Sequence, residues 1–143
     1  MALVVAVARF WLGFWMVFWG LNWFVGFFPQ PTGGPGSHEL HLALMDSGLF
    51  SLAKLLETLL GISLLTNRFV PAALVAVAPV TVIVAWVHVL DGPGAPGYFV
   101  TFTHLFLLIM YSPHYFGMLA FKARPAESLN ELLPRGPSRS QVC

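Results

Sequence analysis

Apolar residues in this chain come in long runs, not in the two-residue alternation of a half-buried strand. Four runs, residues 2–28, 42–65, 69–90 and 98–121, hold few charged side chains, and polar residues collect between them and in the tail. A helix rises about 1.5 Å per residue, so about 20 mostly apolar residues cross the roughly 30 Å of hydrocarbon in a bilayer. Each run clears that length, and each is expected to be a membrane span.

Helix breakers mark the joints. The first connection, 29–41, is rich in proline and glycine, and Ser37 is placed to cap the helix after it. Asp91-Gly92-Pro93-Gly94-Ala95-Pro96-Gly97 reads as a tight hairpin turn, and Thr66-Asn67-Arg68, with Pro71 just inside the next helix, is shorter still. Short connections make neighbouring helices antiparallel, so the predicted fold class is all-α: a four-helix transmembrane bundle, up-down-up-down, over residues 1–123, with a tail at 124–143. Ser112-Pro113 offers an early end to the fourth span, which would leave 114–121 as a surface helix. Residues 126–133, behind Pro125, read as a short helix with Leu129, Leu132 and Leu133 on the membrane surface.

Composition narrows the class further. The chain is 57% hydrophobic and 9% charged, with a mean hydropathy of +0.78; soluble domains carry about 25% charged residues, so a water-soluble core is excluded. A secretory apolar region runs about 7–15 residues, and the first run is longer, so it reads as a retained span. Cys143 is the only cysteine, which excludes an internal disulfide and a cysteine-based redox or zinc centre.

Charge supplies the orientation. Arg68 lies between runs two and three, and Lys122, Arg124, Arg135 and Arg139 follow run four, while 29–41 and 91–97 contain no Lys or Arg. Positive residues stay inside, so both termini are expected to be cytoplasmic, in what reads as a bacterial inner membrane.

A charge at mid-bilayer costs at least about 2.5–3.5 kcal/mol, so Arg9, Lys54 and Glu57 each call for a partner or a role. By helix rise Arg9 and Glu57 lie at similar depths from the inner boundary, on stripes shared with Gly13, Met16 and Gly20 and with Ala53 and Gly61. Small residues mark close helix contacts in membranes, and an Arg9–Glu57 ion pair is expected there. It serves either to fix register or as part of a proton relay or ligand site, with Lys54 joining the pair or standing as a second cation. His88 and His104 add polar groups in the outer half, and His38 and His41 open the second run. Imidazole can ligate a metal or hydrogen-bond a quinone carbonyl. No HExxH or CxxC spacing identifies a metal or haem site, and none is expected.

Trp11, Trp15, Trp19 and Trp23 recur every four residues along the first run. Their stripe lies roughly opposite the Arg9, Gly13 and Gly20 face, so it is expected to point outward, either as a lipid-facing ridge or as a docking surface for a partner helix or flat cofactor.

Taken in order, Ala8-Arg9-Phe10-Trp11-Leu12-Gly13, Lys54-Leu55-Leu56-Glu57 with Gly61 and Leu64-Leu65, Asn67-Arg68-Phe69-Val70-Pro71, and Trp86-Val87-His88 resemble the DoxX family of small four-helix membrane proteins. The likeness covers residues 5–115, and the Trp-rich first run and long Pro/Gly loop depart from the family pattern. The resemblance implies a membrane subunit of a quinone-linked or redox-stress complex. The expected function is thus an accessory membrane subunit of a respiratory or other electron-transfer complex, scaffolding a partner and contacting a quinone or lipid. The alternatives are an autonomous quinone-interacting oxidoreductase built on Arg9, Glu57 and His104, and a small transporter. The expected partners are the bilayer and other membrane subunits, not nucleic acid.

Overall fold

The computed structural model describes residues 1–29, 34–91 and 95–115. Among them every regular element is helical: α1 (Ala2–Val25), α2 (His38–Asp46), α3 (Leu49–Leu65), α4 (Val70–Ala85) running into a π-helical turn (Trp86–Asp91), α5 (Ala95–Met110) and a 3-10 turn (Ser112–His114). Two stretches, Ala2–Val25 and Val70–His88, are long and apolar enough to cross a membrane. These two support a membrane protein. The helices α2 and α3 meet the same criterion only as a pair bent by 88°.

That bend corrects the expected second span. Residues 42–65 are not one helix, because Gly48 sits at φ 74° and breaks the chain between α2 and α3. Only glycine adopts this left-handed conformation without steric cost. The helix α2 starts at His38, directly after Ser37 as expected, and α3 alone has 17 residues.

The other ends also have local causes. The first helix stops at Val25, not at residue 28, because Gly26 turns left-handed at φ 73° and returns its N–H to the Asn22 carbonyl. Asn22, 2% exposed, closes the stop with its side-chain amide: Nδ2 donates to the Phe28 carbonyl and Oδ1 accepts from the Phe28 N–H, each at 2.8 Å. The end of α3 is a Schellman motif. Asn67 at φ 57° bonds back to Leu64, and Arg68 to Ser63. The fourth run stops at Met110 and turns at Ser112-Pro113, the early end the sequence allowed. The segments expected at 116–121, 126–133 and 134–143 lie outside the described residues.

Glycine sets the spacing of α1 against α3. A Cβ on Gly13 would meet the Gly61 carbonyl at 2.9 Å, and one on Gly61 would meet the Gly13 carbonyl at 2.9 Å. Farther along, a Cβ on Gly20 would strike the Thr58 hydroxyl and lie 2.9 Å from the Lys54 carbonyl. The facing residues rise on α1 as they fall on α3, so the two helices are antiparallel with backbones in contact, the arrangement small residues permit in membranes.

The packed core joins Leu12 and Met16 of α1, Leu64 of α3, Val70, Ala73, Leu74 and Val77 of α4, and Val100 and Leu107 of α5. It occupies the half of the molecule toward the α3–α4 turn. The opposite half, toward α2 and the π-helical turn, is more open.

Candidate functional site

That open half encloses a cavity of about 370 Å³, with walls from all five helices. Its floor is Leu12, Met16 and Val77, and its lining is chiefly apolar. Beyond the floor, Leu64, Leu74 and Leu107 are fully buried, so the cavity is one-ended.

The ion pair is on its wall, and its members differ from the expected ones. Lys54 Nζ lies 2.7 Å from Glu57 Oε2, with side chains 13% and 9% exposed. Arg9 donates instead to the Leu64 carbonyl at 2.7 Å. The α1–α3 register explains the correction. Gly61 touches Met16 and Val17, and Gly20 touches Thr58, which puts Glu57 level with a point about three turns of α1 from Arg9, roughly 17 Å by helix rise. An arginine cannot bridge that gap. It donates to a terminal carbonyl of α3 instead, sharing the Leu64 oxygen with the Asn67 N–H of the helix stop. Lys54, one turn from Glu57 on the same helix, is the partner within reach.

Aromatic rings brace the bend above the pair. Lys54 Nζ stands 5.3 Å from the Phe50 ring centre. Phe50 packs edge-on against Trp23 at 4.7 Å and against His41 at 4.8 Å, and Trp23 donates its indole N–H to Ser51 Oγ at 3.1 Å. His41 and His88 both reach the cavity, one from α2 and one from the π-helical turn. The close pass of α5 at His88 needs Gly97, since a Cβ there would collide with the His88 Cβ.

The tryptophan stripe does not form an outward ridge. Trp15 and Trp19 are half-buried on the cavity wall, tilted at 55° with ring centres 5.8 Å apart, and Trp11 meets Phe99 of α5 edge-on at 5.8 Å. The break at Gly48 swings α2 aside and opens space on the very face the stripe occupies. Trp19 carries an anomaly: its indole nitrogen is buried and has no hydrogen-bond partner among the described residues.

His104 belongs to the other half. It is 2% exposed, and its Nε2–H donates to the Leu74 carbonyl at 3.0 Å, tying α5 to α4 inside the core. Arg9, Glu57 and His104 therefore stand in three separate surroundings, and the structure does not gather them into one centre. Among the described residues, no group of three or more His, Cys, Asp or Glu is placed to hold a metal ion.

The mouth of the cavity is fastened by Asp91. Its Oδ1 accepts from the Gly36 N–H at 3.0 Å and its Oδ2 from the Ser37 N–H at 2.7 Å, so one carboxylate holds the start of α2. The hydrogen bond from the Ser37 side chain, with amides of Ser37, Gly36 and Gly34, holds this carboxyl below its ordinary range against a smaller opposing effect of burial. Ser37 does precede α2, but its hydroxyl makes no capping bond to that helix and points back 3.2 Å to the Gly34 carbonyl.

No family model, curated protein or solved structure matches this chain significantly. The likeness to DoxX therefore rests on the residues of this chain alone.

Sequence inspection singled out Lys54, Glu57, His88, Trp15 and Trp19 and put Met16 on the inward stripe of the first run, but it missed Phe50, Thr81 and Gly97, which also line the cavity. Gly97 had a signal, since a third glycine in a breaker-rich turn often marks close backbone approach. Phe50 had none beyond its apolar character.

Proposed function

We infer that this chain is an accessory integral membrane subunit of a respiratory or other electron-transfer complex, and that its cavity holds the head of a quinone. The observation that carries the reading is the one-ended apolar cavity with the Lys54–Glu57 pair on its wall and His41 and His88 near its mouth. Small-molecule sites are mostly apolar, with a few convergent polar groups that fix orientation, and this one is of ordinary size for such a site. Trp15 and Trp19, tilted against each other, add aromatic wall of the kind a quinoid ring packs against. The DoxX-like residues point the same way, toward a quinone-linked complex.

The topology that goes with this function is an up-down-up-down bundle with both termini on the cytoplasmic side of a bacterial inner membrane. Two facts favour it. Ala2, Asn67 and Tyr111 border one shallow depression, while Ser37 and Asp91 meet at the other end. Arg68 follows α3, and Lys122, Arg124, Arg135 and Arg139 come after α5 in the sequence.

Purification from a native membrane in mild detergent tests the function. Solvent extraction and mass spectrometry of the purified protein should recover a quinone in near-stoichiometric amount, together with co-purifying oxidoreductase subunits. Ala53→Trp, which fills the cavity, should expel the quinone and leave the partner proteins bound. Recovery of phospholipid alone, with no partner and no quinone, refutes the reading.

A further inference from the structure

Arg9 is a cation without a counter-ion among the described residues. The acidic side chains described are Glu39, Asp46, Glu57 and Asp91, and all four belong to the half with α2 and the cavity. Arg9 stands toward the other end, roughly 10 Å along α1 from its start by helix rise, and the ion pair described, Lys54 with Glu57, does not include it. A charge at that depth in an apolar span calls for a partner. Its Nη1 donates to the Leu64 carbonyl, an oxygen that also accepts the Asn67 N–H, so the guanidinium is drawn to the stop of α3. The other two nitrogens, Nε and Nη2, have no partner among the described residues. Arg9 is half-buried and neither atom is among the buried unpaired ones, so both keep accessible surface.

Arg9 borders a shallow depression of about 430 Å³ between the start of α1, the α3–α4 turn and the end of α5. Asn67, Tyr111 and His114 border it too. Each of these three side chains can donate a hydrogen bond, and Asn67 and His114 are exposed.

We propose that this depression binds the phosphate of an anionic membrane lipid, held by the free edge of the Arg9 guanidinium with Asn67, Tyr111 and His114 as further donors. A guanidinium fork matches two phosphate oxygens at once, and the anion supplies the charge that Arg9 lacks. The surroundings favour a lipid over phosphate from solution. Phe10 of α1 and Ile109 of α5 are exposed apolar side chains on the two helices that border the depression, a surface suited to acyl chains. A lipid phosphate already lies at the membrane boundary, whereas a free phosphate would leave water for a single arginine. On the proposed topology the depression opens to the cytoplasmic leaflet, where basic sites between helices collect anionic head groups. The inference does not depend on the quinone reading.

The test uses the full chain, stripped of lipid in neutral detergent and titrated with dioleoylphosphatidylglycerol under native mass spectrometry. The unaltered protein should bind this lipid more tightly than dioleoylphosphatidylcholine, whose own ammonium cancels the phosphate charge. Arg9→Gln should bind phosphatidylglycerol at least about tenfold more weakly, the loss expected for a charge-assisted hydrogen bond, and should not distinguish the two lipids. Arg68→Gln, at an exposed cation outside the depression, should bind like the unaltered protein. In the unaltered protein the Arg9 side-chain N–H resonances should move when phosphatidylglycerol is added, a reading that does not depend on the folding of any variant. Equal affinity of Arg9→Gln and the unaltered protein, or Arg9 resonances that stay in place while the lipid binds, overturns the inference. Displacement of the lipid by millimolar inorganic phosphate overturns the lipid as the source of the anion. Binding that appears only after Glu127→Gln with Glu131→Gln, two acids outside the described residues, overturns it in favour of a counter-ion from the tail.

Discussion

The two halves of this molecule use polar groups in opposite ways. Toward the α3–α4 turn Arg9 and His104 tie helices together, Arg9 on the Leu64 carbonyl and His104 on the Leu74 carbonyl, beside the fully buried Leu64, Leu74 and Leu107. Toward α2 the polar groups face a cavity. Lys54 and Glu57 hold each other at its wall, and His41 and His88 approach its mouth. A protein that needed only to be stable would close the second half like the first. The difference in packing separates a scaffold from a site.

The comparison breaks most sharply at the ion pair. Glu57→Leu alone leaves Lys54 stranded beside an apolar cavity, and breaking a buried pair from one side costs about 3–5 kcal/mol in soluble proteins. Replacing both, Lys54→Met with Glu57→Leu, strands nothing and should recover most of the loss in thermal stability. The pair sits in an open half, so the double variant should fold while losing its ligand. Additive losses in the single and double variants would show that the two residues act independently.

The sealed half should respond to lost volume where the open half does not. Leu74 is fully buried, and Leu74→Ala leaves a void the packed core cannot collapse into, at a cost of about 2 kcal/mol. Within a membrane the transfer of methyl groups into lipid is nearly neutral, so most of that cost is lost packing. Leu44→Ala, on the cavity wall, only enlarges a space already present and should cost well under about 1 kcal/mol. Equal losses in chemical denaturation would mean that the cavity half is packed as tightly as the core.

Much of the sealed half was legible in the sequence and less of the open half was. All-helical structure, two long apolar helices, the Gly13, Gly20 and Gly61 contact stripes and the stop at Ser112-Pro113 follow from hydropathy, spacing and breaker chemistry, which are local properties. The partner of Glu57 was not, because depth counted from the span ends takes no account of where glycines lock two helices together. One lock between Gly13 and Gly61 moved Arg9 away from Glu57 and gave it to a helix end instead. The direction of the tryptophan stripe failed for a related reason. A helical wheel shows which residues share a face but not what lies opposite, and here a single left-handed glycine, Gly48, removed the second helix from its expected place. A lone glycine in an apolar run is a weak signal, and the cavity depends on it.

The smallest predicted effect lies at the cavity mouth, where Asp91 holds the Gly36 and Ser37 amides at the start of α2. The ionised carboxylate is the form that accepts both hydrogen bonds, and those bonds lower its pKa in the folded protein. Its contribution is therefore fully present at pH values above the ordinary aspartate value of about 4 and fades only as pH falls below it, through the lowered folded value. Protection of the Gly36 and Ser37 amides from hydrogen exchange should stay constant from pH 7 down to about 4.5 and decline below that. Asp91→Asn keeps one acceptor oxygen and loses the charge, so at pH 7 the same two amides should exchange faster while those of Leu64 and Leu74 are unchanged. A local loss of this kind marks the start of α2 as a separately fastened element over the cavity. If the Gly36 and Ser37 amides exchange equally in the variant and the unaltered protein, α2 is held by its packing on α3 alone, and the open half has no fastening of its own.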